Sequence, residues 1–275
     1  MSFYTSLNGL KNAQTDLGVI SHNIANAETT GFKKSRTEFA DIVVGSAFTN
    51  PKLVVGIGAA VESISQNFAL GPIEQTGSAL DLAINGDGFF TTRNVVTGQT
   101  LFTRNGSLTV DGAGYVSDGS GNRLQVFPTD TAGTITSTTP TDALIPASNG
   151  TDASGNPIEF AGITVGDDGA VTASYADGSN VVIGKVALAS FIAPQGLKQV
   201  GSSNWVTTGI SGVPSFGQPS TGQYGSLLSG ALERSNVDIA EELVSLITAQ
   251  RNFQANAKAI DTATQISQTV IQLQS

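Results

Sequence analysis

The sequence predicts an α+β protein, with terminal helices spaced to pack as a coiled coil and a mainly antiparallel all-β domain between them. Three observations predict it. Phe3, Leu7, Leu10, Leu17 and Ile24 recur at steps of four and three, with polar Gln14 and Ser21 in the skipped places. Ile239, Leu243, Leu246, Phe253, Ala257, Ile260 and Ile271 follow the same rule near the other end, with Gln250, Thr264 and Ser267 filling the gaps. Between the two runs, glycine-containing turn dipeptides follow one another at short intervals. Heptad spacing keeps one apolar seam on one side of a helix and suits packing against another helix. Both seams are lean and broken by polar residues, so an isolated two-helix hairpin would be marginal. The helices are therefore expected to acquire partners from neighbouring subunits.

The first helical pattern covers residues 3 to about 27 and stops at Thr29, Thr30 and Gly31, a glycine suited to a left-handed cap or turn. Residues 32–70 are transitional: Phe32, Phe39, Ile42 and Val43 are apolar, while Pro51, Gly56 and Gly58 punctuate. Val61 to Gln66 gives weak strand evidence. Leu80 to Ile84 alternates toward a turn at Asn85–Gly86–Asp87–Gly88, after which Phe89 and Phe90 start another strand. Asn105–Gly106, Asp111–Gly112, Asp118–Gly119, Gly121–Asn122, Asp167–Asp168–Gly169 and Asp177–Gly178 accept positive φ and predict tight hairpins. Residues 128–160 are rich in Thr, Ser, Asp and Pro and predict a surface excursion. Strands resume around 162–165, 170–173 and 181–191.

Gly209 to Gly230 is rich in Gly, Ser and Pro and predicts a linker. Ser235 followed by Asp238 suggests a capping box. From there to Leu273 neither Gly nor Pro occurs, so one helix of nearly ~60 Å is expected. The predicted division is 1–34 with 232–275 as the helical domain and 35–231 as the β domain. The candidate assembly residues are Leu7, Leu10, Leu17, Ile24, Ile239, Leu243, Leu246, Phe253, Ile260 and Ile271.

Composition narrows the function. The net charge is −9, with no basic cluster, which disfavours a nucleic-acid partner. Cysteine is absent, removing disulfides, thiol catalysis and Cys-based metal sites together. No apolar run reaches the roughly 20 residues that span a bilayer, and no cleavable signal precedes the first helix, so export without one is expected. His22, the single histidine, sits in the first helix beside Asn23 and predicts a hydrogen-bonded structural role. The Asp/Gly clusters lack the fixed oxygen ligands and distal Glu of a calcium loop and predict turns. Gly56–Ile57–Gly58 lacks the third glycine of a dinucleotide site. Trp205 fits a core position or a subunit contact equally. No catalytic, cofactor or metal site is expected.

Three stretches carry a resemblance. Ser21 to Ala27 followed by Thr30–Gly31–Phe32–Lys33 resembles the N-terminal signature of bacterial flagellar rod and hook proteins. Leu82 to Phe90 resembles a second hallmark of that family. The run from Gly230 to Asp238, continued by Glu242–Leu243–Val244 and Ala249 to Asn256, resembles a third. Within the family, Arg36 to Asp41, Gln66–Asn67–Phe68 and Gln250 to Ala257 are similar to the hook protein. No extra segment of the kind a distal rod protein carries after its first helix is discerned. The mid-region is too short for a large second outer domain, and in length the chain is rod-like. The resemblance implies a structural subunit, not an enzyme, that polymerises into the hook, a tubular universal joint passing torque from rod to filament. A distal or proximal rod protein, a rigid drive shaft, is the alternative. It also implies that the terminal helices form an inner coiled-coil domain and the β-domain an outer one, with an extracellular place in the flagellum and export through the type III apparatus. The implied partners are further copies of the chain and the rod, hook-cap and hook–filament junction proteins.

Overall fold

A computed structural model describes residues 2–44, 55–130, 133–151 and 157–274. The fold is α+β, with one helix at each end and a mainly antiparallel β body. It divides into two units. The first joins Met1–Ala27, Lys33–Asn67 and Val237–Ser275; the second joins Glu28–Phe32 and Phe68–Asn236.

In the first unit, helix α1 spans Ser2–Ala25, strand β1 Ser35–Val44, strand β2 Val55–Gln66 and helix α2 Ile239–Gln274. β1 and β2 form a long antiparallel hairpin with two register shifts, one beside Gly56 and Gly58. Pro51, expected to punctuate this region, lies outside the described residues. The sequence places 35–66 in the β domain, but α1 claims the hairpin with its amides. Asn12 donates from Nδ2 to the Ala59 carbonyl at 2.8 Å. Asn23 donates to the Ser35 carbonyl at 2.8 Å and accepts the Ser35 N–H at 2.9 Å. An asparagine on a helix face carries no period that distinguishes it from a solvated residue, so the boundary was not legible.

α2 starts one cap later than the predicted box. Asp238, not Ser235, is the N-cap: its Oδ1 accepts the N–H groups of Ala240 at 2.8 Å and Glu241 at 3.2 Å. A carboxylate there satisfies two otherwise unpaired donors and complements the helix dipole. The helix then runs 36 residues, about 54 Å.

The second unit is built around a large sheet. Its central path runs Asn180–Val186, Asn122–Pro128, Phe89–Asn94, Thr100–Thr103 and Asn204–Val206, with Pro157–Val165 and Ala170–Tyr175 continuing the meander at one side. Phe89 and Phe90 are adjacent and so point to opposite faces. Each face has its own core. Phe90 packs with Leu82, Ile84, Leu124, Val126 and Leu227. Phe89 packs with Phe102, Trp205 and Leu197, flanked by Phe68 and Phe191. Trp205 is fully buried there, which decides the alternative in favour of core. The rings meet edge to face, Phe102 and Phe191 at 4.8 Å between centroids, a geometry worth roughly 0.5–1.5 kcal/mol per pair beyond burial.

Several turn expectations hold and some do not. Asp111–Gly112, Asp118–Gly119, Asp167–Asp168–Gly169 and Asp177–Gly178 close antiparallel strand pairs. Asn85–Gly86–Asp87–Gly88 does not: the strand before it, Leu82–Asn85, pairs with Ser226–Ser229, while the strand after it joins the large sheet. Glycine is needed there because a Cβ on Gly86 would meet the Gly225 Cα at 2.9 Å. The predicted linker 209–230 is likewise structured, since Leu227 is completely buried in the pairing with Leu82–Asn85. The predicted excursion contributes Ala143 and Ile145 to the core; residues 131–132 and 152–156 lie outside the described residues. Small side chains gave both segments a loop-like composition, and burial of a few apolar residues was enough to fix them.

Candidate assembly interface

The helices of the first unit run antiparallel. Asn23 donates to Glu242 Oε2 at 3.1 Å. Fourteen residues earlier on α1, a Cβ on Gly9 would lie 2.5 Å from the Asn256 side chain, fourteen residues later on α2. Gly9 thus lets α2 come close. The buried and half-buried positions of α2 are Glu242, Ser245, Leu246, Ala249, Phe253, Asn256, Ala257, Ile260 and Ala263, which keep to one side of the helix. This seam shares Leu246, Phe253, Ala257 and Ile260 with the predicted one and adds Glu242, Ala249 and Asn256 in place of Ile239, Leu243 and Ile271. The signal missed was small and polar: Ala249 is 1% exposed and Glu242 6%.

The candidate residues therefore fall into two groups. Leu7, Leu10, Leu17 and Ile24 on α1 and Leu246, Phe253 and Ile260 on α2 are half-buried. Ile239, Leu243 and Ile271 are exposed, Leu243 at 46% and Ile271 at 68%. Ile247, Ile266, Val270 and Leu273 are exposed as well. Continuing the antiparallel register sets Ser2 opposite Ala263. Residues 264–274 extend past the end of α1, and all whose side chains are described, 264–273, are exposed.

Several polar side chains are engaged by the fold itself. Asp118 lies in a turn and is saturated by it: Oδ1 accepts Ser120 N–H at 2.9 Å and Asn122 N–H at 2.8 Å, and Oδ2 accepts the Asn122 amide at 2.8 Å. In the second unit, Arg104 and Glu233 form a buried pair at 3.2 Å. Glu233 also accepts the Gly71 N–H at 2.9 Å, and Arg104 donates to the Gly86 carbonyl at 2.9 Å and lies 5.3 Å from the Phe89 ring centre. Burial lowers the Arg104 pKa, opposed by the charge of Glu233. His22 is exposed, with the Asn26 amide 3.4 Å from its Nδ1. Among the described residues, no group of three or more His, Cys, Asp or Glu is placed to hold a metal. No described helix is long and apolar enough to cross a membrane.

A helical unit with exposed apolar rows on its longer helix, accompanied by a β unit whose buried charges are paired structurally, defines a structural protein with unsatisfied helical surface. Comparison with known proteins gives that class a family. Residues 3–33 match the model described as flagella basal body rod protein, 83–173 that of the flagellar hook protein FlgE/F/G D1 domain, and 228–273 that of the flagellar basal body rod FlgEFG protein C-terminal. The chain is 36% identical over 285 aligned residues to the flagellar basal-body rod protein FlgG of Bacillus subtilis, covering 99% of this chain and 98% of that one. It is 32% identical to the rod protein FlgG of Buchnera aphidicola subsp. Schizaphis graminum, covering 99% of each. It is 27% identical to the flagellar hook protein FlgE of Escherichia coli over 408 aligned residues, covering 99% of this chain and 100% of that one. The chain belongs to the flagellar rod and hook axial protein family. Members are structural components of the bacterial flagellum that self-assemble and associate with the basal body, and the family is not an enzyme family.

Proposed function

We propose that this chain is a basal-body rod subunit, polymerising through its terminal helices into a straight, torsionally stiff tube. The observation that carries this reading is collinearity. The chain aligns end to end with rod relatives over 285 and 284 positions, whereas the hook relatives need 408 and 410. More than a hundred residues of those hook proteins thus have no counterpart in the 275 residues here. The hook reading suggested by Arg36 to Asp41 and Gln250 to Ala257 is the second choice, supported by 27% identity over the whole chain.

In this reading the exposed rows of α2 and the half-buried residues of α1 line the contacts between copies. Export through the flagellar type III apparatus and contact with further rod, hook-cap and junction proteins belong to the same proposal. Electron microscopy of polymers assembled from purified protein tests it. Straight tubes that keep their shape across pH and salt are expected; tubes that curve or supercoil would return the assignment to hook. Restoring motility in a strain lacking its rod protein, but not in one lacking its hook protein, is the matching result in cells.

A further inference from the structure

One groove in the helical unit holds more acceptors than its own protomer fills. It lies between α1, β1 and the start of α2, has a volume of about 170 Å³, and is lined by Asp16, Asn23, Thr37, Glu241 and Glu242 among others. Glu241 is paired with Lys34 at 3.0 Å, and Arg36 is drawn to Glu38 at 3.4 Å. Asp16 forms no ion pair among the described residues. Glu242 is buried, with the Asn23 amide on its Oε2. The Thr37 hydroxyl is buried, 7% exposed for the residue, and has no hydrogen-bond partner among the described residues. Buried polar atoms left in this state are costly, and a native surface usually fills them.

The same unit presents a matching donor. Arg251 is exposed on α2 and forms no ion pair among the described residues. Its helical neighbours at three and four residues are Ile247, Thr248, Gln254 and Ala255, so no acid on its own helix can reach it. Ala249 is buried on the seam, and Arg251 lies two residues on, about 200° around the helix, turned away from α1. Lys258, the next basic residue, has Asp261 one turn away. A guanidinium carries five donors and no acceptor, in a planar fork suited to carboxylates and a hydroxyl oxygen together.

We propose that the groove of Asp16, Thr37 and Glu242 receives Arg251 of a second copy of the chain, and that this charged contact sets the register between copies. The inference rests on the self-assembly of the family and is indifferent to whether the tube is rod or hook. It gives a role to Arg251, which forms no ion pair among the described residues. Lys11 is the competing occupant, being exposed and likewise without an ion pair among the described residues.

The absence of cysteine permits a direct test. Glu241→Cys and Arg251→Cys in one chain lie ten residues apart on one helix, about 15 Å. A bismaleimide shorter than that can therefore join only different copies. A ladder of linked chains is expected from sedimented polymer and not from dilute monomer; a polymer that yields no ladder overturns the contact. In parallel, Arg251→Glu and Asp16→Arg should each raise the critical concentration for assembly by roughly tenfold or more, as for a lost partner of a desolvated charge pair. The two together should recover most of it, with monomer helicity unchanged throughout. Assembly of R251E at the wild-type concentration, or a double variant no better than either single, would overturn the proposal. So would a block from Lys11→Glu without one from R251E. The shape of wild-type tubes in the micrographs is a separate readout, so failure of the contact and failure of the rod reading stay distinct.

Discussion

At the residue scale, the charges that matter for stability are few and enclosed. Arg104 is 3% exposed at its side chain and Glu233 0%. Removing one member strands the other, which typically costs about 3–5 kcal/mol, while replacing both by neutral groups is far milder. Arg104→Met should therefore lower the melting temperature strongly, and Arg104→Met with Glu233→Gln should recover much of the loss. Trp205 is the single tryptophan and is buried in the β unit, so its fluorescence reports this melting. If the double variant melts with the single one, the pair is not the cause. Asp118 belongs with this group despite sitting in a turn: Asp118→Ala leaves buried donors unmet and should cost about 1–3 kcal/mol, read by the same melt. Asp168 is different. Its hydrogen bond to Lys185 Nζ at 2.9 Å holds its carboxyl below the usual value. That contribution is present above the ordinary aspartate pKa and is lost as pH falls through the lowered folded value. The side chain is 57% exposed, so the effect on stability is small; a chemical-shift titration that loses the downward displacement in Lys185→Met checks the direction.

At the element scale, the heptads show how much of the fold and of the interface the sequence disclosed. Both helices were legible because their repeat is long, and strands such as Pro157–Val165 and Ala170–Tyr175 because they run up to Asp–Gly turns. The seam was half legible. A hydrophobic count selects Leu243 over Glu242 and offers no reason to choose Ala249 over Gln250. Yet close helix packing favours small residues, and Glu242 is held by Asn23, 219 positions away. The hairpin β1–β2 was illegible as part of the helical unit because its ties to α1 are amide to backbone. The two rows of α2 now make separable predictions. Phe253→Asp places a carboxylate between α1 and α2, so it should lower monomer helicity and block assembly, with a burial cost of several kcal/mol. Leu243→Asp should leave monomer circular dichroism unchanged, within about 0.5 kcal/mol in unfolding, and still prevent polymers. Polymers from L243D at the wild-type concentration would mean that the exposed row is not a contact.

At the scale of the whole molecule, the chain ends of the β unit are tied by the short segment 28–32. The Gly31 N–H donates to the Glu233 carbonyl at 2.8 Å, Ser203 donates to the Thr30 carbonyl at 3.1 Å, and Arg234 pairs with both Glu28 and Glu74. Gly31 has φ +68°, and a Cβ there would lie 2.5 Å from the Asn105 nitrogen, so only glycine lets the strap lie flat. The β unit has two packed cores built from its own residues. A chain cut to residues 28–236 should thus stay folded and soluble, with native Trp205 emission, and should not polymerise because both helices are gone. Cutting further to 68–236 removes the strap and its bonds to Glu233 and Arg234. A net loss near 1 kcal/mol would lower the melting temperature by about 2–4 °C in a unit of this size. Equal melting of the two fragments would show that the strap adds nothing to the fold, and tubes from either would show that assembly does not depend on the helices.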